Sequence, residues 1–102
     1  MPTGEPTSLS VGPLNSTAVH ISWSPPAPGK QNGIIISYIV NLTTLDSGLS
    51  ILFTVSSLEM DIGHLQPFSV YTVAVASQNS VGVGPYTHDA LVQTLEDGML
   101  YF

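Results

Sequence analysis

Apolar and polar residues alternate strictly along two stretches of the chain. The apolar positions are Val19, Ile21 and Trp23 in the first stretch and Tyr71, Val73 and Val75 in the second. A period of two places successive side chains on opposite faces of an extended strand, so each stretch predicts a β-strand with one buried and one wet face. No stretch keeps apolar residues at helical spacing. The pattern therefore predicts an all-β protein.

Turn-forming residues divide the remaining chain into short segments. Proline cannot donate to a central ladder, so the run that begins at Pro25 ends the first of the alternating strands. Residues 79–85, which contain two glycines and a proline, are predicted to form a loop. The predicted strands are Thr7–Val11, Thr17–Ser24, Ile34–Thr43, Ile51–Ser56, Leu58–Ile62, Ser69–Gln78 and Thr87–Thr94. Seven short antiparallel strands of this kind predict an immunoglobulin-like β-sandwich.

The alternation also assigns the two faces of each strand. The residues predicted to face the core are Val19, Ile21, Trp23, Tyr38, Val40, Leu42, Met60, Ile62, Leu65, Tyr71, Val73, Val75, Ala90 and Val92. On the opposite, outward face, we expect Ile39, Ala74, Ala76 and Leu91 to form an apolar patch across neighbouring strands. Large exposed patches are uncommon on monomers, so this patch is a candidate contact with a partner or with a neighbouring domain.

Length and charge restrict the classes of function. The 102 residues fit one domain, and there is no cysteine to staple it. Lys30 is the only basic residue and the net charge is −6, which excludes a nucleic-acid surface and a polybasic membrane patch. No apolar run approaches the roughly 18–20 residues of a membrane span, so we expect no direct membrane insertion.

The residues that carry chemistry do not form a recognisable catalytic or metal motif. His20, His64 and His88 are widely spaced, and no Gly-x-Ser-x-Gly sequence marks a nucleophile. Glu59 and Asp61 share one face of a short strand, but no calcium-loop motif accompanies them. We therefore interpret the histidines as ordinary surface residues and the two carboxylates as a solvated acidic edge. The sequence predicts a domain with no enzymatic activity, no metal and no cofactor.

Two tripeptides fit the acceptor pattern for N-glycosylation. They are Asn15-Ser16-Thr17, in a predicted turn, and Asn41-Leu42-Thr43, in which the parity of Asn41 points outward. Two usable sites favour an extracellular origin for the chain. Asn41 lies only two residues from Ile39 on the same face, so a glycan there and a protein contact at Ile39 compete for space. In the alternative interpretation, both asparagines are polar surface residues of an intracellular (cytoplasmic) or bacterial module.

The spacing of the core residues is more specific than a generic sandwich. It is carried by Trp23 before a proline pair, Tyr38 on the third strand, Leu65-Gln66-Pro67 before Tyr71, then Val73, Val75, Asn79, Gly82, Gly84 and Pro85, and a closing Thr94-Leu95-Glu96-Asp97. This arrangement resembles a fibronectin type III domain. The resemblance implies residues 1–5 as a leader or linker, 6–95 as the domain and 96–102 as a linker or tail. It also implies a tyrosine corner at Leu65 and Tyr71, in which the phenol bonds to the backbone.

The resemblance further implies a function. We expect a non-catalytic protein-interaction and spacer module of a tandem-repeat cell-surface receptor or adhesion protein, similar to the receptor-type tyrosine phosphatases. The parent would be secreted or a single-pass membrane protein, and the isolated domain a monomer. Expected contact residues are Asn79, Ser80, Val81, Gly82, Val83 and Gly84, in a mobile loop that no charge pins, together with Ile39 and Leu91. The alternatives are an intracellular repeat of a cytoskeletal or muscle protein and an accessory domain of a secreted enzyme.

Overall fold

The chain folds into a sandwich of two antiparallel β-sheets. The computed structural model describes residues 2–27, 29 and 33–96, so Lys30 and nearly all of the predicted tail lie outside the described residues. The strands are β1 (Thr7–Asn15), β2 (Ala18–Ser24), β3 (Ser37–Thr44), β4 (Ser50–Val55), β5 (Glu59–Ile62), β6 (Val70–Gln78), β7 (Val83–Tyr86) and β8 (Ala90–Gln93).

The strands form one sheet of three and one of five. The smaller sheet has the order β1-β2-β5, and the larger has β4-β3-β6-β7 with β8 also paired to β6. Both β7 and β8 lie on the same side of β6. Counted as one interrupted strand, they give the seven strands of the predicted sandwich, and the fold prediction is confirmed.

The interruption of the last strand corrects one prediction. Val83–Tyr86 forms a strand on β6, although residues 83–85 were predicted to lie in a loop, while Thr87 begins no strand. Between the pairs Val73–Ala90 and Ala76–Tyr86, two residues of β6 oppose three residues of the last strand. The Thr87 hydroxyl accepts the N–H of Val75 at 3.0 Å, and the Thr87 N–H donates to the Val75 carbonyl at 2.9 Å. One residue thus serves both backbone groups of Val75, which accommodates the extra residue as a bulge.

Two other strand boundaries differ from the predicted ones by three residues or more. Strand β1 continues to Asn15, through Pro13, because an edge strand tolerates a proline that a central strand does not. Strand β3 begins only at Ser37, although the Ile36 N–H still donates to the Gln78 carbonyl. Ile34 and Ile36 are exposed. Of the three isoleucines that lead into the strand, only Ile35 packs against the core.

Twelve of the fourteen predicted core residues are buried in one cluster between the sheets. The exceptions are Met60 and Ala90, which are only partly buried because they lie on strands at the edge of each sheet. The Trp23 and Tyr38 rings pack edge to face, with centroids 5.6 Å apart at 63°. Burial raises the pKa of the Tyr38 phenol, so this ring remains neutral at physiological pH.

The predicted apolar patch on the outward face is wrong in part. Ala74 and Ala76 are buried rather than exposed. They lie on β6, which is paired on both sides, and Ala76 is flanked across the sheet by Ile39 and Tyr86. A side chain of one carbon between two larger neighbours is covered by them even on the solvent face of a sheet.

Side-chain hydrogen bonds to the backbone of Gln66 and Ser69 hold the turn before β6. The Tyr71 hydroxyl accepts the Gln66 N–H at 2.8 Å, which confirms the predicted tyrosine corner. The Thr94 hydroxyl donates to the Gln66 carbonyl at 2.6 Å and accepts the Ser69 N–H at 3.0 Å. Thr94 is buried. The last strand is therefore tied to the turn by a side chain whose role the sequence analysis did not predict.

Candidate interaction surfaces

Within residues 2–27, 29 and 33–96, no group of three or more metal-ligating side chains comes together. His20 has a partner on the neighbouring strand, since its Nδ1 lies 2.6 Å from Asp61 Oδ1. The two residues are direct partners in the β2–β5 register. Two exposed ligands fall short of the four that a structural zinc site uses, so this is a cross-strand polar pair.

The loop between β6 and β7 is held from inside by Asn79. Its Oδ1 accepts the Val81 N–H at 2.9 Å and the Gly82 N–H at 3.2 Å, and its own N–H donates to the Gly82 carbonyl. Asn79 is 4% exposed. As the sequence indicates, no charged residue holds the loop in place. The buried side-chain amide of Asn79 holds it instead. Asn79 therefore shapes the loop, while other residues form its surface.

The tip of this loop presents two side chains to solvent. Ser80 and Val81 are exposed, and Val81 is the more apolar of the two. Val83 is exposed at the start of β7, whereas Gly84 is covered by the buried Pro2. Of the predicted contact residues in this loop, Ser80, Val81 and Val83 are thus accessible to a partner.

The two predicted contact residues on the sheet face lie apart. Ile39 is half-buried and pairs with Ala76, whereas Leu91 is exposed and pairs with Thr72. Their β6 partners are four residues apart, which is roughly 13 Å along the strand. Ile39 and Leu91 therefore form two separate apolar spots, and no continuous patch joins them.

Both predicted glycosylation sites have the asparagine oxygen in contact with the threonine of the same tripeptide. Asn15 is exposed in the β1–β2 turn, and its Oδ1 accepts both the N–H and the hydroxyl of Thr17, at 2.9 and 3.3 Å. Asn41 is half-buried on the outward face of β3, where the Thr43 hydroxyl donates to its Oδ1 at 3.4 Å. The exposed turn makes Asn15 the more accessible of the two.

A shallow groove of about 410 Å³, which the sequence analysis missed, lies between the start of β1 and the bulge before β8. Its walls include Glu5, Ser8 and His88. Ser8 has a φ of +54°, at the point where the β1–β2 register shifts. No sequence pattern indicates that a bulge forms at Ser8 or that it lies beside a second bulge. The groove could therefore not be predicted from the sequence.

The two ends of the domain lie at opposite ends of strand β1. Thr7 begins this strand, and the Leu95 N–H donates to the carbonyl of Asn15 at its last residue. The nine residues of β1 span roughly 25–30 Å at the usual rise per residue.

The described residues contain no helix with the length and apolar character that a membrane span requires.

Comparison with known proteins places these features in context. The model of the fibronectin type III domain matches residues 4–93. The chain is 35% identical over 101 residues to receptor-type tyrosine-protein phosphatase F of Mus musculus and 39% identical over 104 residues to the cell adhesion molecule Dscam2 of Drosophila melanogaster. These alignments cover 92% and 94% of this chain but only 5% of each relative.

Solved structures have the same architecture. The FN5 domain of Drosophila Lar is 31% identical, with a TM-score of 0.75, and the alignment covers 93% of this chain and 98% of that one. The FN1–FN3 domains of chicken CNTN1 are 23% identical, with a TM-score of 0.83 over 93% of this chain and 32% of that one. The second likeness concerns the fold alone.

Proposed function

The chain belongs to the fibronectin type III family, and from this premise we propose that it is an extracellular protein-interaction and spacer module of a tandem-repeat receptor or adhesion protein. Domains of this family are not catalytic in themselves, and the relatives include receptor phosphatases and adhesion molecules. The parent in this proposal is a single-pass membrane protein or a secreted one. Residues 6–95 form the module.

The observation that carries the proposal is the placement of the two ends. Because Thr7 and Leu95 lie at opposite ends of β1, neighbouring domains attached at each end would continue in line rather than fold back. A rigid sandwich between them would hold the neighbours at a fixed separation. The loops at its ends would remain open to other proteins.

The extracellular part of the proposal rests on the two asparagines. We expect both Asn15 and Asn41 to carry N-glycans when the chain passes through a secretory pathway, because each has its threonine in place and neither is buried. Peptide mapping after enzymatic glycan release, which converts each occupied asparagine to aspartate, measures the occupancy of each site. Occupancy at Asn41 should be the lower, because its side chain is half-buried.

Matched variants separate the two sites. Thr17→Ala and Thr43→Ala each remove one acceptor pattern while leaving the asparagine in place, so each should remove one glycan only. If both asparagines of the unaltered chain emerge without glycans, the extracellular assignment loses its support.

For the interaction part, we propose the tip of the β6–β7 loop as the main contact. Val81 and Val83 offer apolar surface, and Ser80 offers a hydroxyl, on a turn that Asn79 holds in one shape. A preformed turn loses little conformational entropy on binding. Ile39 and Leu91, on the sheet face, are the second proposed contact.

We expect the replacement of Ser80-Val81-Gly82 by Gly-Ser-Gly to weaken binding of the parent ectodomain to its protein partner by about tenfold or more. A loss of this size is typical when one apolar side chain that the partner buries is removed. Because Asn79 is retained, the midpoint of thermal unfolding should stay close to that of the unaltered chain. Surface plasmon resonance measures the first quantity and calorimetry the second. The comparison variant combines Ile39→Lys with Leu91→Lys, and so tests the second proposed contact in the same assay. Unchanged affinity in the loop variant would exclude the loop as the contact.

A further inference from the structure

The two sheets have four edges, and three of them carry features that discourage pairing with another strand. Strand β1 contains Pro13 and two register shifts. Strand β5 is only four residues long and exposes Glu59 and Asp61. Short length, proline, bulges and charge are the usual protections of an edge strand.

The edge formed by β7 and β8 is protected in another way. A bulge separates the two strands, and Pro85 lies within β7. The buried Pro2 packs against Gly84 so closely that a Cβ at residue 84 would lie 2.7 Å from the Pro2 carbonyl oxygen. Only the absence of a side chain at Gly84 permits this contact, which places the N-terminal segment over the edge.

The fourth edge, β4, has none of these protections. Its six residues, Ser50 to Val55, include no charged residue, glycine or proline, and they pair with β3 without a register shift. Leu52 is 62% exposed, and Ile51 and the preceding Leu49 are exposed as well. Among the described residues, no strand pairs with the other side of β4. In an antiparallel ladder, every second residue points its N–H and C=O away from the partner strand, so about half of the backbone groups of β4 face an open edge.

We propose that β4 is a self-association site, at which two copies of the chain pair β4 with β4 in antiparallel orientation about a two-fold axis. The two five-stranded sheets then become one continuous sheet. A strand is complementary to a copy of itself in this arrangement, since each copy supplies the donors and acceptors that the other lacks. The site adjoins two proposed features of the receptor function, because Leu52 pairs with Asn41 and Thr54 pairs with Ile39 in the register of β3 and β4. It does not depend on either of them, and it replaces the expectation of a monomer.

The distribution of charge selects a second copy as the occupant. The chain carries a net charge of −6, so most approaches of one copy to another bring carboxylates together. Strand β4 has none, and the nearest carboxylates along the chain, Asp46 and Glu59, lie beyond its two ends. A basic or an acidic partner finds no opposite charge on this strand, whereas a neutral strand pairs with it without an electrostatic cost. Because the net charges still repel at longer range, added salt should tighten the dimer.

Sedimentation equilibrium of the unglycosylated 102-residue chain, from micromolar to millimolar concentration, tests the proposal. We expect a reversible dimer that is tighter at high salt. Leu52→Lys should weaken dimerisation by at least about tenfold, because the two-fold axis brings the two new ammonium groups close together across the paired strands. Thr54→Lys, at another exposed position of β4, should act in the same way.

The matched control is Leu14→Lys. Leu14 is 47% exposed on β1, an edge strand that is already protected by bulges, so this variant should dimerise like the unaltered chain. Thermal unfolding of all three variants establishes that each is folded. The proposal is overturned if the unaltered chain stays monomeric at every concentration, if Leu14→Lys weakens the dimer as much as Leu52→Lys, or if salt dissociates the dimer. None of these outcomes bears on the contacts at the β6–β7 loop or on the glycans.

Discussion

Replacement of Trp23 by alanine will lower the free energy of unfolding by about 3–5 kcal/mol, which is the usual loss for a large aromatic removed from a core. Trp23 is buried between the sheets and packs edge to face on Tyr38. Its removal leaves a cavity that the flanking strands, held by their ladders, cannot close. A loss of this size is a large share of the 5–15 kcal/mol that typically stabilises a domain.

Urea unfolding followed by far-ultraviolet circular dichroism measures this loss, since Trp23 is the only tryptophan and its fluorescence disappears with it. Trp23→Phe is the matched control. The Trp23 Nε1 is buried and has no hydrogen-bond partner in the described structure, so phenylalanine removes a polar group that contributes no bond and retains much of the ring contact. It should therefore cost less than half as much as alanine. If alanine costs under about 1 kcal/mol, Trp23 is not the centre of the core.

Thr94→Val will destabilise the domain by about 2–4 kcal/mol, although the two side chains have nearly the same shape. The substitution removes a hydroxyl that donates to the Gln66 carbonyl and accepts the Ser69 N–H. Both backbone groups then lie beside a buried methyl group instead of a partner. An unsatisfied backbone group of this kind costs roughly 1–3 kcal/mol.

Thr94→Ser keeps the hydroxyl and removes only the methyl group, so it should cost about 1 kcal/mol, close to the value of one buried methylene. Chemical denaturation of both variants provides the comparison. Combination of Thr94→Val with Tyr71→Phe in a double-mutant cycle then tests whether the two hydroxyls act together, since one binds the N–H and the other the carbonyl of Gln66. A valine variant as stable as the unaltered chain would show that the hydrogen bonds contribute nothing.

The two predictions differ in what could be seen from the sequence. Trp23 stands in a strict alternation with polar residues before a proline pair, so its burial follows from local pattern alone. Thr94 is one of many polar residues near a strand end. Its two partners are 25 and 28 residues earlier in the chain, and no local pattern indicates that they meet.

The candidate sites show the same division. The sequence indicated the exposed asparagine of the first turn and an uncharged loop after β6, because acceptor patterns and turn residues are local features. It missed the His20–Asp61 pair, which depends on the register of two strands far apart in sequence. It also gave no reason to single out β4, since an edge is defined only by the absence of a neighbouring strand.

By itself, the sequence determined the class of fold, the strands that build it and most of the core, because a period of two records which face of each strand is buried. The tertiary structure alone decided what lies beside each strand. It split the last strand at Thr87, whose hydroxyl serves the backbone of a neighbour, and it buried Ala74 and Ala76 under larger side chains on the solvent face. Both outcomes depend on the residue that the register places opposite, and register is set by contacts between segments that are distant along the chain.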